Sequence, residues 1–128
     1  MPLTHFEELE VWQDARKLCK TIKELTDKPP FSTDFKFRDQ IRASSGSVMD
    51  NIAEGFERGG NKEFIQFLSI AKGSAAEVKS QIYRAFDFMY ITEEDFQAQL
   101  AHTEQLRIKI GNFMSYLKSS ALKGPKYK

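Results

Sequence analysis

The 128-residue chain is poor in the residues that build most recognisable active sites, with one cysteine and two histidines in all. A single thiol, Cys19, excludes an internal disulfide, and so few histidines leave little from which to build a metal cluster. Seven glycines and four prolines exclude collagen-like and low-complexity chains. No apolar run approaches the roughly 18 residues of a membrane-spanning helix. The opening MPLTHFEELE has neither a basic start nor an apolar stretch, so no secretion signal is expected. An excess of one charge is also missing, because 19 basic residues against 18 acidic ones give a net charge of +1. That is far from the concentrated positive charge that attracts phosphate backbones by releasing counterions. The expectation is a cytoplasmic protein with no membrane partner.

What is present is the material of one core. Hydrophobic residues make up 41% of the chain and charged residues 29%, the balance of a globular domain long enough to fold without staples. The pattern predicts a bundle domain over residues 1–122, followed by a flexible basic tail over 123–128 that includes Lys123, Lys126 and Lys128.

Four helices follow from period and caps. Thr4 with Glu7 three positions on forms a capping-box pattern, and Val11, Ala15, Leu18, Ile22 and Leu25 then recur at spacings of four and three. Trp12 and Cys19 widen that stripe. Pro29 and Pro30 end the helix, because proline supplies no N–H and drives the residue before it out of the helical region. A second helix is expected over 37–58, with Phe37, Ile41, Ser45, Val48, Ile52 and Phe56 on one face and Gly59-Gly60 as its stop. Asn61 is the expected N-cap of a third helix carrying Phe64, Phe67, Leu68, Ala71, Ala75, Val78, Ile82, Ala85, Phe86 and Met89. Thr92 ahead of Glu93, Glu94 and Asp95 starts a fourth, with acids where the helix dipole favours them, running through Phe96, Leu106, Ile110 and Leu117 to about Ala121. Small residues interrupt the middle of two helices, Ala43 to Ser47 and Gly73 to Ala76. Such runs are poor helix centres and predict a close approach of helices two and three at that level. Similar lengths and short connections give an all-α, antiparallel up-and-down four-helix bundle.

No catalytic constellation emerges from these helices. The Glu-x-x-His pattern of di-iron bundles is missing, and His102 and Glu104 are two positions apart, which puts them on different helical faces. Cys19 lies in an apolar stripe with no histidine at helical spacing, and Gly59-Gly60 follows a helix instead of a strand, so neither a thiol nucleophile nor a phosphate loop is expected. The expectation is a non-enzyme with no cofactor, no metal and no evident small-molecule substrate.

Two surfaces stand out instead. Gln40, Ser44, Ser47, Asn51, Glu54 and Arg58 form a polar seam on helix two at spacings of four and three. A solvated face explains it, yet Ser and Asn are poor choices for a purely exposed helix, which makes the seam a candidate subunit contact. Ile65, Ile70, Tyr83, Phe88, Tyr90, Ile108 and Tyr116 fall outside a single core column and add to the case for self-association. Arg16, Lys17, Lys20, Arg38, Arg42 and Arg58 are candidate nucleic-acid contacts, with a solvated lysine face as the plainer reading.

Three stretches carry a family resemblance: FEELEVWQDARKL at 6–18, FRDQIRASSGSVMDNIAEGFERGG at 37–60 and KEFIQFLSIAKGSAAEVKSQI at 62–82. Asn51-Ile52-Ala53-Glu54-Gly55 followed by Arg58, Phe64, Phe67, Leu68, Ala71, Gly73 and Ser74 is the most distinctive part. The chain resembles the four-helix bundle family named for proteins encoded in intervening sequences of bacterial 23S ribosomal RNA. That resemblance implies a left-handed bundle associating as a ring, typically a homopentamer, with no attributed enzymatic activity. It also implies distant kinship with the pentameric accessory protein of diversity-generating retroelements, which binds nucleic acid and a reverse transcriptase, so RNA is the second candidate partner.

Overall fold

The structure, a computed structural model, describes residues 4–120. Four helices fill it: α1 over Glu10–Thr26, α2 over Phe35–Glu57, α3 over Asn61–Asp87 and α4 over Glu93–Ser120, with short 3₁₀ turns at Phe6–Glu8 and Phe31–Thr33. No strand occurs among the described residues. Each helix packs on the next and α4 returns to α1, α1 resting more on α2 than on α4. Short connections make every neighbouring pair antiparallel, and the four rods enclose one core.

The core columns are those the period dictates. Ala15, Leu18 and Ile22 of α1 meet Ile41, Val48 and Ile52 of α2, Phe64, Leu68 and Val78 of α3, and Leu106, Ile110 and Leu117 of α4, all with almost no exposed surface. Burying each large side chain contributes about 1.5–3 kcal/mol, so these stripes dominate the driving force.

Helix ends follow the chemistry of orphaned backbone groups. Thr92 Oγ1 accepts the Asp95 N–H at 3.1 Å, the expected start of α4. Asp34 caps α2 by accepting the Phe37 N–H at 3.3 Å, and the Tyr90 hydroxyl donates to its other carboxylate oxygen at 2.7 Å. That bond ties the α3–α4 connection to the start of α2.

Several expectations need correction. The N-terminal box is closed by Glu8 and not Glu7: its carboxylate accepts the Thr4 and His5 N–H groups at 2.9 and 3.1 Å, and α1 starts only at Glu10. Asn61 does not cap α3 with its side chain. It is the first residue of the helix, buried, and its amide donates across the bundle to the Leu117 carbonyl at 3.2 Å. Met89 lies beyond the end of α3 with φ of 62° and its side chain 84% exposed. There it takes the left-handed position that glycine usually fills, as the Tyr90 N–H closes on the Ala85 carbonyl at 2.9 Å. Ile65 and Tyr90 pack against the core and are not surplus surface. The basic tail, and Ala121 at the expected end of α4, lie outside the described residues.

The predicted approach of α2 and α3 exists, but the glycines in the small runs do not make it. Ser47 Oγ and Ser74 Oγ share a hydrogen bond at 2.9 Å, while a methyl group added at Gly46 or Gly73 would meet nothing within 4 Å. The tight crossing is two turns further on, at Gly55. A Cβ there would stand 2.6 Å from Phe67 Cβ and 2.9 Å from Phe64 Cδ1.

Candidate functional site

The polar seam of α2 divides in two. Its middle faces α3: Ser44 is buried and donates to the Gln40 carbonyl at 3.0 Å, and Asn51 donates to the Ser47 carbonyl and hydroxyl at 2.8 and 3.0 Å. With the Ser47–Ser74 bond these groups form a polar zipper within the molecule. Gln40, Glu54 and Arg58 at the two ends remain exposed, and Glu54 pairs with Arg58 at 2.9 Å. Serine and asparagine, poor helix formers, are explained here by side chains that return to helix carbonyls and reach the neighbouring rod.

The candidate nucleic-acid contacts divide as well. Arg38 pairs with Asp39 at 2.9 Å and donates to the Ser32 carbonyl. Arg42 spans from α2 to α1, donating to Thr26 Oγ1 at 2.8 Å and to Asp27 at 2.9 Å. Arg58, besides its ion pair, lies over the Phe67 ring at 5.0 Å. These three are engaged with the bundle itself. Arg16, Lys17 and Lys20 on α1 have no ion pair among the described residues, and with Trp12, Gln13 and Glu7 they line a shallow groove of about 440 Å³. Arg16 leans over the Trp12 ring at 5.7 Å.

Charged links hold α4 in place from both sides. Lys109 donates to Glu10 at 2.7 Å and Asp14 at 2.9 Å, fastening α4 to α1. Glu104 receives Arg107 from its own helix and Lys79 from α3 at 3.0 Å, and Arg107 followed by Lys79 holds its carboxyl down at about 2. A carboxyl depressed in the folded state favours folding above its ordinary value of 4.5, and that advantage is lost as pH falls from there to about 2. Glu104→Gln should therefore flatten the acid limb of a stability-against-pH curve in that window, leaving the neutral plateau little changed in shape.

Neither remaining titratable candidate forms a reactive pair. Cys19 is half-buried, its thiol reaches the Ser45 carbonyl at 3.1 Å, and burial pushes it away from the thiolate. His102 is half-buried beside Asp14 and Lys17, and burial lowers its proton affinity. Among the described residues no group of three or more His, Cys, Asp or Glu side chains stands close enough to hold a metal ion. No described helix is long and apolar enough to cross a membrane. Gly55, the most closely approached of the described helical glycines, is marked in the sequence only by its place between Ile52 and Phe56 on the buried face.

Comparison with known proteins agrees with this architecture. The crystal structure of a protein of unknown function from the S23 ribosomal protein family of Bacteroides thetaiotaomicron superposes with a TM-score of 0.73, at 21% identity, covering 81% of this chain and 97% of that one. At that identity the likeness carries the fold. No curated protein matches the chain. The profile of the family described as 23S rRNA-intervening sequence protein matches residues 7–112, which takes in all of α1, α2 and α3 and most of α4. The chain therefore belongs to the 23S rRNA-intervening sequence protein family.

Proposed function

We propose that this protein is a non-catalytic helical scaffold that works as a homo-oligomer, a ring of five copies being the arrangement the family resemblance implies. One observation carries the reading. Ile70, Tyr83, Ile108 and Tyr116 are 52%, 48%, 48% and 63% exposed on α3 and α4, although the core is already complete beneath them. Large apolar and aromatic side chains collected on two adjacent helices are characteristic of a surface that meets protein. Light scattering at micromolar concentration should give a mass several times the 14.8 kDa of one chain. A single 14.8 kDa species under those conditions would defeat the proposal.

A second reading, an RNA-binding accessory module, is favoured by the α1 groove. Arg16, Lys17 and Lys20, which have no ion pair among the described residues, line it as exposed cations, the kind of group that meets phosphates, while Trp12 beneath them is buried in the core. Binding of a single-stranded RNA to a filter should weaken as salt rises, and Lys17→Glu with Lys20→Glu should abolish it. Binding that ignores salt would remove this reading.

A further inference from the structure

Exposed charge is segregated on this bundle. On α1 six of the seven exposed positions over 10–24 are charged, and on α2 six of nine over 35–58. On α3 only Glu77 is charged among eight exposed positions over 66–83, and on α4 only Lys118 among ten over 97–119. The other charges of α4 over 97–119 are turned sideways into ion pairs, Glu104 and Arg107 toward α3 and Lys109 toward α1, while Glu93 and Glu94 lie exposed at the start of the helix. An outward face emptied of charge is unusual for a solvated helix and is the compositional mark of an interface core.

Both faces also have a seam. On α4, Ala101, Gln105, Ile108, Asn112, Ser115 and Ser119 succeed one another at spacings of four and three, all exposed. On α3, Gln66, Ser69, Gly73, Ala76, Ser80 and Tyr83 do the same. Heptad spacing aligns side chains along one edge of a rod, the arrangement by which two helices interlock over their length. Each seam runs for about 30 Å at 1.5 Å per residue. The two differ in relief. The α4 seam rises at Ile108 in its middle, whereas the α3 seam dips at Gly73 and Ala76, where a methyl group added to Gly73 would touch nothing in the molecule.

We infer that the α4 seam of one copy packs on the α3 seam of the next, with Ile108 seated over Gly73 and Ala76. This inference rests on the scaffold reading above and assigns its contact surface. Height within the bundle supports it. Lys79 meets Glu104, and Lys72 lies against Gly111, so Ile108, midway between 104 and 111, stands level with the segment between Gly73 and Ala76. A head-to-tail contact whose two halves stand at one height rotates successive copies without a rise, which closes a ring instead of growing a filament. Direction supports it too. Neighbouring corners of a four-helix bundle face roughly a quarter turn apart, and contact directions separated by roughly 90–110° close about four or five copies. One seam about 10 Å wide buries some 300 Å² on each partner, short of the ~800 Å² a side of a stable pair. A closed ring gives every copy two such contacts, with Ile70 and Tyr116 beside the seams widening them.

Two substitutions test the assignment, Ile108→Arg on α4 and Ala76→Arg on α3, both at exposed positions and both checked for unchanged helix content by circular dichroism. Each variant alone should be monomeric at concentrations where the unaltered chain assembles. Mixed in equal amounts, they should stay below ring size and pair only weakly, at concentrations well above those where the unaltered chain assembles, since each retains the half that the other lacks but one contact alone is short of a stable pair. Glu24→Arg on the charged face of α1 should leave assembly unchanged, and Ser115→Arg and Ser69→Arg should repeat the two single effects. If the unaltered chain assembles and Ile108→Arg and Ala76→Arg both still assemble, the surface assignment falls while the scaffold reading stands. If only Ile108→Arg dissociates, α4 pairs with α4 and the inference is overturned. A monomeric unaltered chain removes the scaffold reading itself.

Discussion

Replacing Phe64 by alanine should cost about 3–5 kcal/mol, the range for deleting a fully buried aromatic side chain, and lower the urea midpoint on the order of 2 M. Phe64 has no exposed surface and joins three helices. Its ring meets Phe56 of α2 edge-on at 5.9 Å and Phe113 of α4 at 5.4 Å. Alanine would remove both contacts and leave a cavity at a point where α2 and α3 are already too close to collapse inward. For a domain whose total stability is on the order of 5–15 kcal/mol, the variant would approach the folding threshold. Phe64→Leu should recover most of the loss, because it refills volume without restoring the ring contacts. An alanine variant within about 1 kcal/mol of the parent, by urea unfolding followed by circular dichroism, would show that Phe64 does not join the three helices.

Gly55→Ala should destabilise the protein by about 1–3 kcal/mol, although alanine is the better helix former by about 1 kcal/mol. The added Cβ would lie 2.6 Å from the Cβ of Phe67, which cannot swing away because it is fixed to the α3 backbone. The only relief is to separate the two helices, which loosens the packing around Phe64 as well. Gly46→Ala is the control, since it has the same chemistry in the same helix with no neighbour within 4 Å. It should stabilise by about 0.5–1 kcal/mol, so the two alanine substitutions should shift the thermal midpoint in opposite directions. Shifts of the same sign would refute the close crossing. The pair Gly55→Ala and Phe64→Leu should be only partly non-additive, because the smaller residue can relieve the 2.9 Å contact with Phe64 but not the 2.6 Å contact with the Phe67 Cβ.

How legible each feature was depended on its range along the chain. The stripe from Val11 to Leu25 and the start of α4 at Thr92 are set by residues within a turn or two of one another, and the structure reproduces them. The N-terminal box was equally local yet misread, since Glu7 and Glu8 both lie within reach of the first N–H groups and only the turn geometry selects Glu8. The polar seam of α2 was visible as a pattern, but whether Ser47 faced solvent, a sister molecule or Ser74 depended on a residue 27 positions away. The six basic residues were likewise visible. That Arg38, Arg42 and Arg58 are occupied while Arg16, Lys17 and Lys20 line an open groove follows from which acids the fold brings near.

By itself the sequence determined four amphipathic helices, their order and their antiparallel packing, because apolar period, caps and short connections act over one or two turns and leave a single way to bury the stripes. Tertiary structure alone decided which polar groups are used internally and which face outward. The sideways pairing of Glu104 and Lys109 that clears the outer face of α4, and the crossing at Gly55, both depend on distances between helices. The physical reason is that a side chain's period is a property of its own helix, whereas its partner is a property of the neighbouring one.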